Sequence, residues 1–161
     1  MTIKRILVPV DFSPDSLKAL SYSRDFGATF RAELLVLHVV EPVYYATPAD
    51  MYSTSPNLAT ILDEQLHVAK QQLSRIEADL KKKKGQRARA LLKTGSPAQV
   101  IADTAKKERA DLIVMSTHGR TGLAHIVMGS VAEKVVRSAH CAVLTVRRDA
   151  VRKRARTAKK R

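Results

Sequence analysis

Three of the chain's six glycines, Gly119, Gly122 and Gly129, fall in one short segment between Ser116 and Ser130. Glycine lets backbone amides approach a ligand closely. The apolar run Leu112-Ile-Val-Met115 leads into the segment, and Ser130-Val-Ala-Glu133 leaves it with the spacing of a capping box. A helix N-terminus presents unpaired N–H groups and the positive end of a dipole, which favour an anion such as phosphate. The segment therefore reads as a nucleotide-phosphate site of a non-Walker type. Amides at Gly119 and Arg120 can form an anion nest, and Arg120 adds a cation. Ser130 and Val131 open the helix. Ser130 keeps two readings, a phosphate contact or a plain cap for its own helix, and a cap leaves other amides available.

Asp11 follows the apolar run Ile6-Leu-Val-Pro-Val10. It can cap the next helix, accept a hydrogen bond from ribose or adenine, or hold a metal through water. His118 and His125 flank the glycine segment. A general base needs an orienting partner and a nucleophile in reach, and no triad is evident. His38 lies in a strand pattern and His67 on a helix pattern, as structural histidines do. No spacing resembles a zinc site. The one cysteine, Cys141, rules out an internal disulfide and reads as a small, inert hydrophobe. No catalytic residue is assigned.

Strands and helices alternate around these residues. Ile6–Val10, Glu33–Val40 and Asp111–Met115 are near-continuous apolar runs, as in strands buried on both faces. Arg87–Lys93 alternates basic and apolar residues at its start and suits a half-exposed edge strand. Ala142–Val146 is the fifth strand. Ser13-Pro14 and Ser96-Pro97 each supply a cap and a proline for a helix start. The first helix is expected to stop near Gly27 and the third near Arg109. Apolar residues at 58, 62, 66, 69, 73, 76 and 80 mark an amphipathic helix that ends at Lys81–Lys84 and Gly85. Residues 41 to 56, with three prolines, read as a long loop. Such alternation implies right-handed crossovers and a doubly wound α/β parallel sheet of order 3-2-1-4-5. Its ligand crevice lies at the strand C-termini where the order reverses. That brings Val10-Asp11 beside Met115-Ser116 and the glycine segment.

At 161 residues the chain is long enough for one domain with a full core. No apolar run approaches the roughly 18 residues of a membrane span. The N-terminus lacks the cleavage-site pattern of a signal peptide, so a cytoplasmic protein is expected. The net charge of +14 is unevenly placed, with nine basic residues against the single acid Asp149 from Arg147 to Arg161. That tail has no aromatic and almost no large apolar residue, so it is expected to be disordered. It either solubilises the chain or binds an acidic partner such as nucleic acid.

Ile6-Leu-Val-Pro-Val-Asp-Phe-Ser13, Leu37-His-Val-Val40 and Ser116-Thr-His-Gly-Arg-Thr-Gly … Met-Gly-Ser-Val131 together resemble the universal stress proteins of the single-domain UspA type. The resemblance covers residues 3 to 147. ATP-binding members of that family carry a glycine, two residues, a second glycine, nine residues, then Gly-Ser or Gly-Thr. Gly119 and Gly129-Ser130 match with the nine-residue gap intact, whereas Ser116 stands at the first glycine position. The resemblance implies a flavodoxin-like or Rossmann-like sandwich of the adenine nucleotide alpha hydrolase type. It implies ATP, with or without Mg, as the ligand. Pro9, Val10, Asp11 and Val39 would line the adenosine end. Met115, Ser116, Gly119, Arg120, Gly129, Ser130 and Val131 would surround ribose and phosphates. The expected protein is a cytoplasmic stress-response regulator or sensor with at most slow hydrolysis. Residues 1 to 147 would form the domain and 148 to 161 the basic tail. A homodimer is expected through Ala142–Val146, an apolar strand at a sheet edge. The alternative is a module that binds nucleic acid or another acidic partner through the tail, with a vestigial nucleotide pocket.

Overall fold

The computed structural model describes residues 2–42, 57–82, 85–117 and 128–147. Strands and helices alternate: β1 (Arg5–Pro9), α1 (Pro14–Phe30), β2 (Glu33–Val40), α2 (Asn57–Lys81), β3 (Ala88–Thr94), α3 (Pro97–Lys107), β4 (Leu112–Ser116), α4 (Ser130–Ser138) and β5 (Ala142–Val146). All five strands are parallel in the order β3-β2-β1-β4-β5. This is the doubly wound sheet that the alternating pattern predicts.

Successive strand residues point to opposite faces, so each apolar strand feeds two cores. Ile6, Val8, Leu34, Val36 and Val114 pack with Ala19 and Leu20 of α1 and Leu73 and Leu80 of α2. Leu7, Leu35, Leu37, Ile113 and Met115 pack with Ile101 and Ala105 of α3 and Ala132 and Val135 of α4. This two-sided burial explains why β1, β2 and β4 carry unbroken apolar runs. β3, at one edge, is only partly buried along most of its length.

Three local expectations need correction. Gly27 does not end α1. The helix runs on to Phe30 and stops at Arg31, which adopts the left-handed conformation at φ 53°. Gly27 is instead a packing position, because a Cβ there would meet the Gln86 side-chain amide at 2.9 Å. Ser96 has cap geometry, but its side chain makes no capping bond. The box at Ser130 is displaced by one residue: Gly129 is the N-cap and Ser130 the first helical residue. Ser13 does cap α1, its Oγ accepting from the Ser16 amide at 3.2 Å. The loop expected at 41 to 56 and the lysine run at its last two positions, Lys83 and Lys84, lie almost wholly outside the described residues. So does the tail from 148 to 161.

The N-terminal edge of the sheet is closed by charge. Glu33 sits between Arg5 (3.6 Å) and Arg89 (3.8 Å), and Arg89 also reaches Glu108. Asp111 Oδ2 accepts from the amides of Lys4 (2.7 Å) and Arg5 (2.9 Å), tying the start of β1 to β4. These partly exposed pairs are worth at most about 1 kcal/mol each. They stand at the end of the sheet opposite the crevice.

Candidate nucleotide site

The crevice opens because β1 and β4 separate. Their register holds at only two positions, Ile6 with Leu112 and Leu7 with Ile113, whereas β2 and β3 pair over seven. The Val10 amide donates to the Leu37 carbonyl on β2 at 2.8 Å. Backbone groups alternate sides along a strand, so the Pro9 nitrogen faces β4. It has no N–H to offer there. Proline at the end of β1 thus lets the two strands part at their C-termini.

A cavity of about 1140 Å³ occupies that position. Its floor is the strand tips, with Pro9, Val10 and Asp11 from β1 and its turn, His38 and Val39 from β2, and Met115 and Ser116 from β4. Gly129, Ser130 and Val131 at the start of α4 close one side. The structure therefore brings nine of the sequence-predicted site residues to one cavity. Gly119 and Arg120, like His118 and His125, lie outside the described residues.

Each wall has a local cause. The Asp11 carboxylate is held by the turn into α1, where Oδ1 accepts from the Ser13 amide (3.0 Å) and hydroxyl (2.6 Å). The Asp11 amide donates to Ser16 Oγ at 3.3 Å. The glycine segment leaves the sheet at Thr117 and returns at Gly129, whose amide donates to the Thr117 carbonyl at 2.7 Å. Thr117 also donates its amide to Val146 of β5 at 3.2 Å. The segment's two ends are thereby pinned together at the mouth of the cavity. Gly129 supplies the cap position, and among the described residues no side chain caps the first amides of α4. Ser130 is exposed. Its plain-cap reading is set aside by this geometry.

The electrostatics are uneven. Among the described residues lining the cavity there are three carboxylates, Asp11, Glu41 and Glu64, and no lysine or arginine. Positive potential there comes from the dipole of α4. Among the described residues, no cluster of three or more His, Cys, Asp or Glu side chains could hold a metal. Cys141 is partly buried just before β5. Burial, and secondarily the charge of Asp111, push its thiol pKa up, which disfavours the thiolate. His67 is bonded to Gln71 at 2.8 Å on α2, outside the cavity lining.

Sequence reading missed part of the lining. Phe12, Thr117, Pro97 and Ile101 border the cavity, as does one face of α2 through Ile61, Gln65 and Val68. Ile61 and Val68 are 48% and 46% exposed, large apolar groups left uncovered on that face. The spacing 61, 65, 68 is itself a second helical stripe and could have been found beside the core stripe.

Residues 2–147 match the Universal stress protein family. A universal stress protein of Methanocaldococcus jannaschii is 34% identical over 146 residues, covering 90% of this chain and 82% of the relative. The solved structure of the universal stress protein UspA from Lactobacillus plantarum is 28% identical, covers 91% of this chain and 99% of its own, and superposes with a TM-score of 0.81. The universal stress protein from Archaeoglobus fulgidus in complex with dAMP is more distant: 22% identity, 90% and 98% coverage, TM-score 0.59. With the matched region spanning every element of the sheet and the whole described crevice, this chain belongs to the universal stress protein family.

Proposed function

We propose that this chain is an adenine-nucleotide-binding stress regulator that takes ATP in the crevice between β1 and β4. The observation that carries the reading is the meeting of β1, β2 and β4 tips with the open N-terminus of α4 around one cavity. Fold supports it, because parallel α/β sheets bind ligands where the strand order reverses. The dAMP carried by the Archaeoglobus fulgidus protein supports an adenine ligand.

In this reading Pro9, Val10, Asp11 and Val39 receive the adenosine end, a mostly apolar slot with one fixed carboxylate. Met115 and Ser116 flank the ribose. Gly129, Ser130 and Val131 give amides and a hydroxyl to the phosphates, with Gly119 and Arg120 completing the cradle. The acidic lining disfavours a bare triphosphate. ATP therefore relies on the α4 dipole, on Arg120 and on a Mg ion held by phosphate oxygens and water. In this reading any hydrolysis is slow and occupancy is the signal. Among the described residues no helix is long and apolar enough to cross a membrane, and we place the protein in the cytoplasm. Residues 1 to 147 form the nucleotide unit, which pairs with a second copy through β5. The tail of 148 to 161 is a separate appendage.

A second reading follows from the charge of that tail, nine basic residues against one acid between Arg147 and Arg161. There the tail binds nucleic acid or another acidic partner through salt-sensitive contacts. Its lack of aromatic residues argues against base stacking. Calorimetric titration with ATP and AMP, on the wild type and on Gly129→Val, tests the first reading. Micromolar binding that is lost in the variant supports it; equal affinity in both proteins overturns it.

A further inference from the structure

His38 is 6% exposed, and its Nδ1 lies 2.7 Å from the carbonyl oxygen of Val10. A carbonyl can only accept, so Nδ1 carries the proton and donates. The same imidazole lies against Phe12, with ring centroids 4.3 Å apart and planes tilted by 33°. Phe12 has φ 63°, a left-handed conformation that is costly for a bulky side chain and persists only where its surroundings hold it. One side chain on β2 therefore grips the turn after β1 at two points, before and after Asp11.

From the other side, Ser13 holds the Asp11 carboxylate through two hydrogen bonds. Asp11 is thus clamped between α1 and β2. Val10, Asp11, Phe12 and His38 all line the cavity. The β2 strand can place a donor here because His38 stands opposite the end of β1, one residue beyond the Pro9–Leu37 pair of the ladder.

We infer that His38 is a positioning residue for the nucleobase end of the site: its Nδ1–H sets the Val10–Phe12 turn and so fixes where Asp11 meets the ligand. This rests on the nucleotide reading above. A histidine that only fills space would be replaceable by any side chain of similar bulk. A positioning histidine needs a donor at the place of Nδ1.

Two amide variants separate these cases. Asparagine puts its side-chain nitrogen near the place of Nδ1, and glutamine puts it near Nε2. Adenosine and ATP are titrated by calorimetry into the wild type, His38→Asn and His38→Gln. The Asn variant is expected to bind both ligands within about threefold of wild type. The Gln variant is expected to weaken both by about tenfold, roughly 1.4 kcal/mol and the size of one ordinary hydrogen bond. The factor is the same for both ligands because the loss falls on the part they share. Phe12→Ala removes the second grip and should weaken adenosine in the same direction. It carries the test should the His38 variants not fold. Wild-type affinity in His38→Gln, equal weakening in both His38 variants, or wild-type affinity in Phe12→Ala overturns the inference. A wild type that binds neither ligand refutes the nucleotide reading, and the inference with it.

Discussion

Replacing Gly27 by alanine should destabilise the protein, although the position is inside a helix where alanine is intrinsically the better residue. An ideal Cβ at Gly27 would stand 2.9 Å from Gln86 Nε2, 3.0 Å from Gln86 Oε1 and 3.1 Å from Leu34 Cδ2. Leu34 is fully buried and cannot retreat. Gln86 Nε2 donates to the carbonyls of Ala32 (3.2 Å) and Arg87 (3.1 Å); Arg87 keeps the Leu34 amide as a donor at 2.9 Å, so moving Gln86 strands the Ala32 acceptor. The helix gains about 1 kcal/mol from Gly→Ala. Over-packing costs about 1–3 kcal/mol, and a stranded buried acceptor costs about 1–3 kcal/mol. The clash outweighs the propensity gain, leaving a net loss of about 2 kcal/mol and a fall in Tm of about 4–8 °C for a domain of this size. Urea denaturation followed by circular dichroism measures it. In a Gln86→Ala background the main obstruction is gone, and Gly27→Ala should then be neutral or stabilising. A single Gly27→Ala variant with a raised urea midpoint would refute the packing explanation.

Three further outcomes follow. Ser130→Ala should leave stability within about 0.5 kcal/mol, since Gly129 and not Ser130 is the cap; a loss of about 1 kcal/mol or more in thermal melts would restore the cap role. Because Val146 directs its carbonyl to Thr117 on the β4 side, the amides of Thr145 and Val143 alternate between outward and inward with Val146 and Leu144, and both face away from β4. Val143→Pro or Thr145→Pro should therefore spare the β4–β5 ladder and convert a dimer to a monomer in sedimentation; a monomeric wild type, or dimers in both variants, would exclude pairing through β5. Deleting residues 148 to 161 should flatten the salt dependence of any DNA affinity while leaving ATP affinity unchanged, and an intact slope after deletion would exclude the tail.

The three central strands were legible in the sequence because two-sided burial writes itself as unbroken apolar runs at Ile6–Val8, Leu34–Leu37 and Leu112–Met115, whereas β3 showed as an alternating, half-exposed edge. The crevice was legible for the same reason, since the order reversal and the glycine segment point to one place. Helix ends were less so. Gly27 carries a stop signal in sequence, and only the approach of Gln86, 59 positions later, reveals its packing role. Ser130 and Gly129 are both good caps, and the choice fell to the Gly129–Thr117 hydrogen bond, which links two ends of a loop. His38 reads as a core histidine by pattern, and it is buried and bonded. Its position facing the cavity depends on tertiary pairing that periodicity does not encode.

Native mass spectrometry of the protein purified without added nucleotide tests the nucleotide reading most directly. The spectrum should contain a bound adenine nucleotide, with ATP displacing or joining it on titration and the adduct absent from Gly129→Val. An empty wild-type protein that takes up no adenine nucleotide at millimolar ATP and Mg would contradict it.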